Sequence, residues 1–501
     1  MNAAAQLRAL VALRWTMVRS RRARYGLAAL ASLVPLAILG GVAGAQLAPE
    51  DARLDAAIIA PTIYLGFLVL SIVSPLTAGG GNELYPPDQL VAFPVAPQTH
   101  FLTGLAVMPI NLAWVSQLVV LAAGTSFYLP KRPSALLALP TVLAWVVLCA
   151  AAGQLASWVV AGLRQSRRGR AALWVAGAAT GAALFALIRL GGFDDLLDNS
   201  PTVDVVVAMG EAADGTYRRW ATDTLLLAGL AVAALRLGLA ACSWALRRPG
   251  DAGASREGRA LRVRAPRRTA FGALLAADRA SVWRSASLRR GAIVLGLLPG
   301  LVTFALGVQW STLLLLPGLV ASGAALLFGV NAFCLDAGGA VWLATLPHDA
   351  RLALRSKAWV VTETTLACVL LATGAALLRV RGAPTTAEAV GLGCAVVATV
   401  VSVVGTSLRL SVERPHRADL RGRRDTPAPP GTMAVYSARM AAQTTLAGLL
   451  VSGAAASGVW ELPVLVGLAV ALLGLRSAAA AARQWADPRS RARVTLTVAA
   501  G

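Results

Sequence analysis

Residues able to carry covalent chemistry are few in this chain and poorly placed for it. It has 501 residues with three histidines and five cysteines. Cys149, Cys242, Cys334, Cys368 and Cys394 all fall inside apolar runs, and no histidine lies beside a cysteine pair. That pattern supports neither a thiolate metal site nor a disulfide framework. The adjacent carboxylates Glu50-Asp51 and Asp194-Asp195 have the residue types for general acid and base work in a membrane-embedded transferase. Paired carboxylates in loops are more often only solvated, and the longest loop that could hold a donor has about thirty residues. A nucleotide-cradling loop needs G-x-x-x-x-G-K-[ST], with its lysine on the phosphates. The two lysines, Lys131 and Lys357, follow Pro130 and Ser356, so neither belongs to such a loop.

What remains is a set of polar residues in apolar surroundings. Arg236 lies near the middle of an apolar run, about ten residues or 15 Å of helix from the basic end. An arginine at mid-membrane costs roughly 2.5 to 3.5 kcal/mol on insertion scales, so it should face a cavity or a partner. Glu363 lies six residues beyond Lys357, and Arg476 lies seven before Arg483. Both should sit roughly 9 to 10 Å deep from one side. A Glu363 to Arg476 ion pair is therefore expected, with Arg439 as a competing partner. Asn111, Gln117, Asn331 and Gln443 are candidates to line a translocation path or to make interhelical hydrogen bonds.

These readings presuppose a membrane, and the composition supplies one. The chain is 57% apolar and 14% charged, against about a quarter charged in soluble domains. Apolar runs of about 17 to 25 residues cross a hydrocarbon core as helices. Twelve are read here, at 25–45, 56–76, 101–123, 135–163, 171–191, 223–246, 291–308, 311–334, 358–379, 387–410, 434–458 and 462–482. The expected fold class is an all-α polytopic membrane protein. With the N-terminus inside, the inner segments hold 34 of the 46 basic residues, the outer loops seven and the spans five. That asymmetry fits the positive-inside rule with both termini cytoplasmic in a bacterial plasma membrane. It also accounts for the net charge of +22 through anionic headgroups rather than nucleic acid. The Ala/Arg-rich, Lys-poor composition suits a GC-rich genome.

The start of the chain imitates a twin-arginine signal, "SRRARY" with Ala43-Gly44-Ala45 further on. Retention is expected, because the same unit recurs later. "RWTMVRS" (Arg14 to Ser20) matches "RASVWRS" (Arg279 to Ser285), "LVAFPVAPQTHFLTG" (Leu90 to Gly104) matches "LATLPHDARLALRSK" (Leu343 to Lys357), and "GLAVA" recurs at Gly229 and Gly467. Six spans per copy make the repeat parallel, with a pseudo-two-fold axis along the membrane normal. The expected organisation is a cytoplasmic amphipathic segment at 1–24, a first six-span half at 25–246 and a cytoplasmic linker with a second such segment at 247–290. A second half follows at 291–482 and a cytoplasmic tail at 483–501.

Between spans two and three lies "GGGNELYPPDQLVAFPVAPQTHFLTG", Gly79 to Gly104, which has no basic residue and carries Glu83 and Asp88. Pro86 and Pro87 can start a helix that Pro94 stops, leaving about two turns with Leu90, Val91 and Phe93 as apolar contacts. In the second copy Asp336 can cap the start, Val341, Trp342, Leu343 and Leu346 are apolar, and Pro347 stops it. A short apolar helix beneath the membrane wants a protein partner.

With its basic amphipathic start, two spans, a short helix ending "FPV" or "LP", and a Pro-containing outer segment with a Gly before span six, "SPTVDVVVAMGEAADGTYRRWATD", the chain resembles the permease of type-two ATP-binding-cassette exporters. The resemblance covers essentially the whole chain as two fused halves. It implies connecting helices at about Leu7 to Arg19 and Phe271 to Arg284, and coupling helices at about Glu83 to Phe93 and Asp336 to Leu346. It further implies export of an apolar or amphipathic substrate such as a drug, antibiotic or lipid, driven by separate ATPase subunits in two copies that carry ATP and Mg. The chain itself would then hold no cofactor and catalyse nothing. Only a few residues separate spans eleven and twelve, a departure from the family's outer segment. The rival is an ATP-independent secondary transporter of the major-facilitator type, which also has twelve spans in two parallel halves but usually a basic Gly/Asp/Arg-rich loop after span two. A type-one importer permease would carry E-A-A-x-x-x-G, which is absent from the sequence.

Overall fold

Apolar Ala/Leu/Val runs that must satisfy their backbone groups without water can do so only as helices or closed barrels, and here they form helices. The structure, a computed structural model, describes residues 5–10, 12, 21–77, 95–108, 112–129, 133–247, 269–347, 349–418 and 427–500. Among these there is no strand, only an isolated bridge between Gln309 and Arg381. Among the described residues seven helices are long and apolar enough to cross a membrane. The chain divides into two compact units, Met1–Leu261 and Arg262–Gly501.

In the first unit, α1 (Arg21–Leu47) packs on α4 (Leu112–Tyr128), and α2 (Glu50–Thr77) packs on α4 and α5 (Ala138–Arg164). The short α3 (Pro97–Val107) and α5 both lie against α9 (Tyr217–Arg247). Between α5 and α9 come α6 (Arg167–Arg189), α7 (Gly192–Asp198) and α8 (Pro201–Asp214). The run expected as one span at 101–123 is instead shared by α3 and α4. The expected outer loop at 192–223 is largely helical. Pro201 starts α8, Gly215 ends it at φ 86°, and its Val205, Ala208, Met209, Ala212 and Ala213 are buried. α8 buries these residues within its own unit, against α2, α5 and α9, and at 14 residues it is too short to be a span.

In the second unit, α10 (Ala270–Arg284) begins at a Thr269 cap and α11 (Ala286–Leu306) at a Ser285 cap. Then follow α12 (Trp310–Leu313), α13 (Leu316–Leu327), a 3-10 segment (Gly329–Leu335) and α14 (Gly339–Thr345). The unit closes with α15 (Ala350–Leu377), α16 (Thr386–Glu413), α17 (Pro430–Ala456), α18 (Glu461–Ala486) and α19 (Pro488–Ala499). Asp349 caps α15, Thr385 and Glu388 form a capping box on α16, and Asp487 caps α19. Such caps satisfy the first orphan N–H groups of each helix. α16 and α18 approach so closely that a Cβ on Gly405 would lie 2.0 Å from the carbonyl oxygen of Gly474. Small residues at a membrane helix contact allow this backbone approach.

The run expected as a span at 311–334 lies within one candidate span, Trp310–Leu335, but it is broken inside: α13 is capped at Phe328, and Asn331 has φ −147° and ψ 60°. The expected tail at 483–501 carries a helix, α19, whose Val494 and Val498 are buried in the core and which packs beside α14.

Candidate functional site

The second unit assembles a charged cluster where α10, the end of the 3-10 segment and the start of α15 converge. Lys357, on the second turn of α15, is only 1% exposed. Its Nζ donates to Asp278 Oδ1 of α10 at 2.6 Å and to Asp336 Oδ1 just beyond the 3-10 segment. The hydroxyl of Ser356 donates to the other oxygen of Asp278. One turn further on, Arg279 donates through Nε and Nη2 to Glu363 Oε2, at 2.8 and 2.7 Å. Adjacent residues of α10 therefore meet α15 with opposite polarity, Asp278 on Lys357 and Arg279 on Glu363. Burial pushes the Asp336 carboxyl above the ordinary carboxylate range, and the Lys357 ammonium pulls against it.

This arrangement corrects two expectations. Asp336 does not cap the following helix, since α14 starts after Gly338 with no side-chain cap. A carboxylate three residues before a helix start finds a stronger partner in a buried ammonium than in a backbone N–H. Glu363 pairs with Arg279, not with Arg476 or Arg439, both of which are exposed. Depth alone ranked the candidates, and α10 supplies a guanidinium at the same depth.

A short helix, α14, lies within the segment at Asp336 to Leu346 expected as the second coupling helix. Its Ala340 is buried, whereas Val341 and Trp342 are exposed at 46% and 66%, and the chain turns extended at Leu346 before Pro347. The first set, Glu83, Asp88, Leu90, Val91 and Phe93, lies outside the described residues, as does Asn111. The helix expected at Phe271 to Arg284 is α10, and it exposes Trp283 at 49%.

The other polar candidates separate into two kinds. Asn331 donates to the carbonyls of His416 and Pro427, at 2.7 and 2.6 Å, while Ser411 bonds Ala332 N and Gly329 O. Asn331 thus fastens the break after α13 to the α16 to α17 connection. Gln443 of α17 bonds Ser402 and Thr406 of α16, an interhelical contact. Arg236 lies on the exposed face of α9 beside Val232 and Leu237. The sequence missed a hydroxyl cluster in the first unit. Tyr64 and Thr125 share a hydrogen bond of 2.7 Å, and Tyr64 also reaches Met209 Sδ at 3.3 Å. These hydroxyls border a cavity of about 180 Å³ between α2 and α4, lined otherwise by Tyr128 and by small and aliphatic residues from Ala56 to Ile63 and at Leu121 and Gly124. Among the described residues no group of His, Cys, Asp or Glu side chains could hold a metal ion. Comparison with family models, curated proteins and solved structures finds no match to this chain.

Proposed function

We propose that the chain is the permease of an ATP-driven exporter whose ATPase is a separate polypeptide. The observation that carries this reading is α14, a seven-residue helix outside the spans that presents Val341 and Trp342 to solvent while its neighbours are fastened by buried charge. An exposed tryptophan beside a valine on an anchored helix is the kind of apolar anchor that fits a groove in a protein partner. The packing order within the units supports two related halves. In the first, α1 packs on α4 and α5 on α9; in the second, α11 packs on α15 and α16 on α18. On this reading twelve spans form two six-span halves, both termini are cytoplasmic, and two ATPase copies close on ATP and push the coupling helices. The scarcity of charged residues in the spans favours an apolar or amphipathic substrate.

The test is affinity purification of the tagged protein from its host in mild detergent, with identification of what co-purifies and an ATP hydrolysis assay. A stoichiometric partner carrying a nucleotide-binding loop, lost when Trp342→Asp and Leu90→Asp are combined, is the expected result. An ATP-inert protein that also transports in vesicles without nucleotide would instead make it a secondary transporter.

A further inference from the structure

We infer that Lys357 is the hub of an ion lock that makes α10, α14 and the inner end of α15 one mechanical body. The claim deepens the proposed function, on which its role in coupling rests; the joint itself is a property of this chain alone.

Four observations converge on it. The cluster is buried, with side-chain exposures of 1% for Lys357, 8% for Asp278 and 15% for Asp336, so its ion pairs are weakly screened. Each carboxylate comes from a different element, and the single ammonium is the only charge they share. The polarity reversal between Asp278 and Arg279 then sets the register of α10 on α15, because a slip of one residue would bring like charges together. Finally, the residue after Asp336 is strained: Ala337 has φ 43°, a left-handed conformation unique to it among the described non-glycine residues. Such strain persists only where the surroundings hold it, and the Asp336 to Lys357 bond is the adjacent constraint. Relaxing Ala337 would swing the Gly338-Gly339 start of α14 away from the body.

The residue type fits a hub. Two of the chain's 46 basic residues are lysines, and one occupies this site. A compact ammonium can point separate donors at carboxylates arriving from two directions, whereas a planar guanidinium favours one carboxylate face. The lock is also specific to the second half. At the offsets of the internal repeat, Asp336 corresponds to Glu83, but Lys357 corresponds to Gly104 and Asp278 to Leu13. The first half therefore lacks both the hub and one spoke, and the two coupling segments would transmit motion unequally.

Hydrogen exchange on the full-length protein in nanodiscs tests the joint without any ATPase. In Asp336→Asn, exchange across residues 339–346 should rise about tenfold or more while 270–284 keeps its rate; Asp278→Asn should do the reverse, and Lys357→Met should free both. Because Lys357→Met strands two carboxylates and can unfold the protein, the triple variant D278N/K357M/D336N provides the control. It removes the buried charges together, and it should fold, exchange quickly in α10 and α14, and leave α16 and α18 at wild-type rates. Unchanged exchange in α10 and α14 of the triple variant overturns the lock. Equal acceleration of every helix by Asp336→Asn overturns it too, since the cluster would then support the fold in general. With the co-purified ATPase, ATP and vanadate should alter exchange along the inner half of α15 in wild type and not in the triple variant, although both retain the partner. Failure to find any ATPase would sink the proposed function and leave the exchange result standing.

Discussion

Lys357 bonds two buried carboxylates at once, so its removal strands both. Removing one partner of a buried ion cluster exposes the desolvation cost of those left behind, typically about 3 to 5 kcal/mol. Lys357→Met should therefore lower unfolding stability in detergent by that amount, and Lys357→Arg should recover little of it. Glu363→Gln should cost under about 1 kcal/mol, because the Arg279 and Glu363 side chains are 44% and 40% exposed and water screens the pair. Denaturant titrations of the three variants separate these cases. Asp487 gives a different kind of prediction. Backbone N–H groups of Arg489 and Ser490 hold its carboxyl below the ordinary range. A lowered folded pKa contributes stability that is fully present above the unfolded value and is lost as pH falls through the folded one. The difference in melting temperature between wild type and Asp487→Ala should thus be constant near neutrality and disappear on strong acidification. Little of the residue-scale arrangement was legible in the sequence. Lys357 stood out there only for not belonging to a nucleotide loop, and Asp336 read as a cap because local rules see four residues, not the 58 that separate it from Asp278 along the chain.

At the scale of elements, apolar runs located the long helices, and tertiary bonds decided where they break. Thr269, Asp349, Thr385 and Asp487 cap helices in the structure. Their residue types favour caps, but the apolar runs alone did not single them out. The break at Phe328 to Asn331 was not readable, because it depends on carbonyls of His416 and Pro427, which are supplied by a distant connection. Glycines divide in the same way. Gly405 and Gly474 sit at the closest helix contact of the second unit, whereas Gly177 and Gly181 of α6 meet nothing within 4 Å. Gly405→Ala must push α16 and α18 apart, and overpacking of that kind costs about 1 to 3 kcal/mol. Gly177→Ala and Gly181→Ala should be neutral or stabilising by roughly 0.5 to 1 kcal/mol each, since alanine is the better helix former. Thermal unfolding of the single variants in one detergent checks both. A loss at Gly177 or Gly181 comparable to that at Gly405 would mean that α6 is packed in the membrane on a surface that its own unit does not provide.

For the whole molecule, the orientation across the membrane is the premise on which the coupling reading depends. The basic residues cluster in segments that alternate with nearly neutral ones, and by the positive-inside rule that asymmetry predicts the N-terminus, the linker and the C-terminus inside. The packing of α14 beside α19 links this orientation to the candidate site: whichever side holds the C-terminal helix also holds Trp342. The native cysteines leave a low labelling background, as Cys149, Cys242, Cys334 and Cys368 are buried and Cys394 is half-buried. Single cysteines at the exposed positions Thr216, Ala383 and Ala492 can therefore be read directly with a membrane-impermeant maleimide. Thr216→Cys and Ala383→Cys should label in intact cells, and Ala492→Cys only after permeabilisation. Labelling of Ala492→Cys from outside would place α19 and, with it, the Val341 and Trp342 face of α14 away from any cytoplasmic ATPase. The ion lock would survive that outcome as a structural joint, but its role in transmitting ATP-driven motion would not.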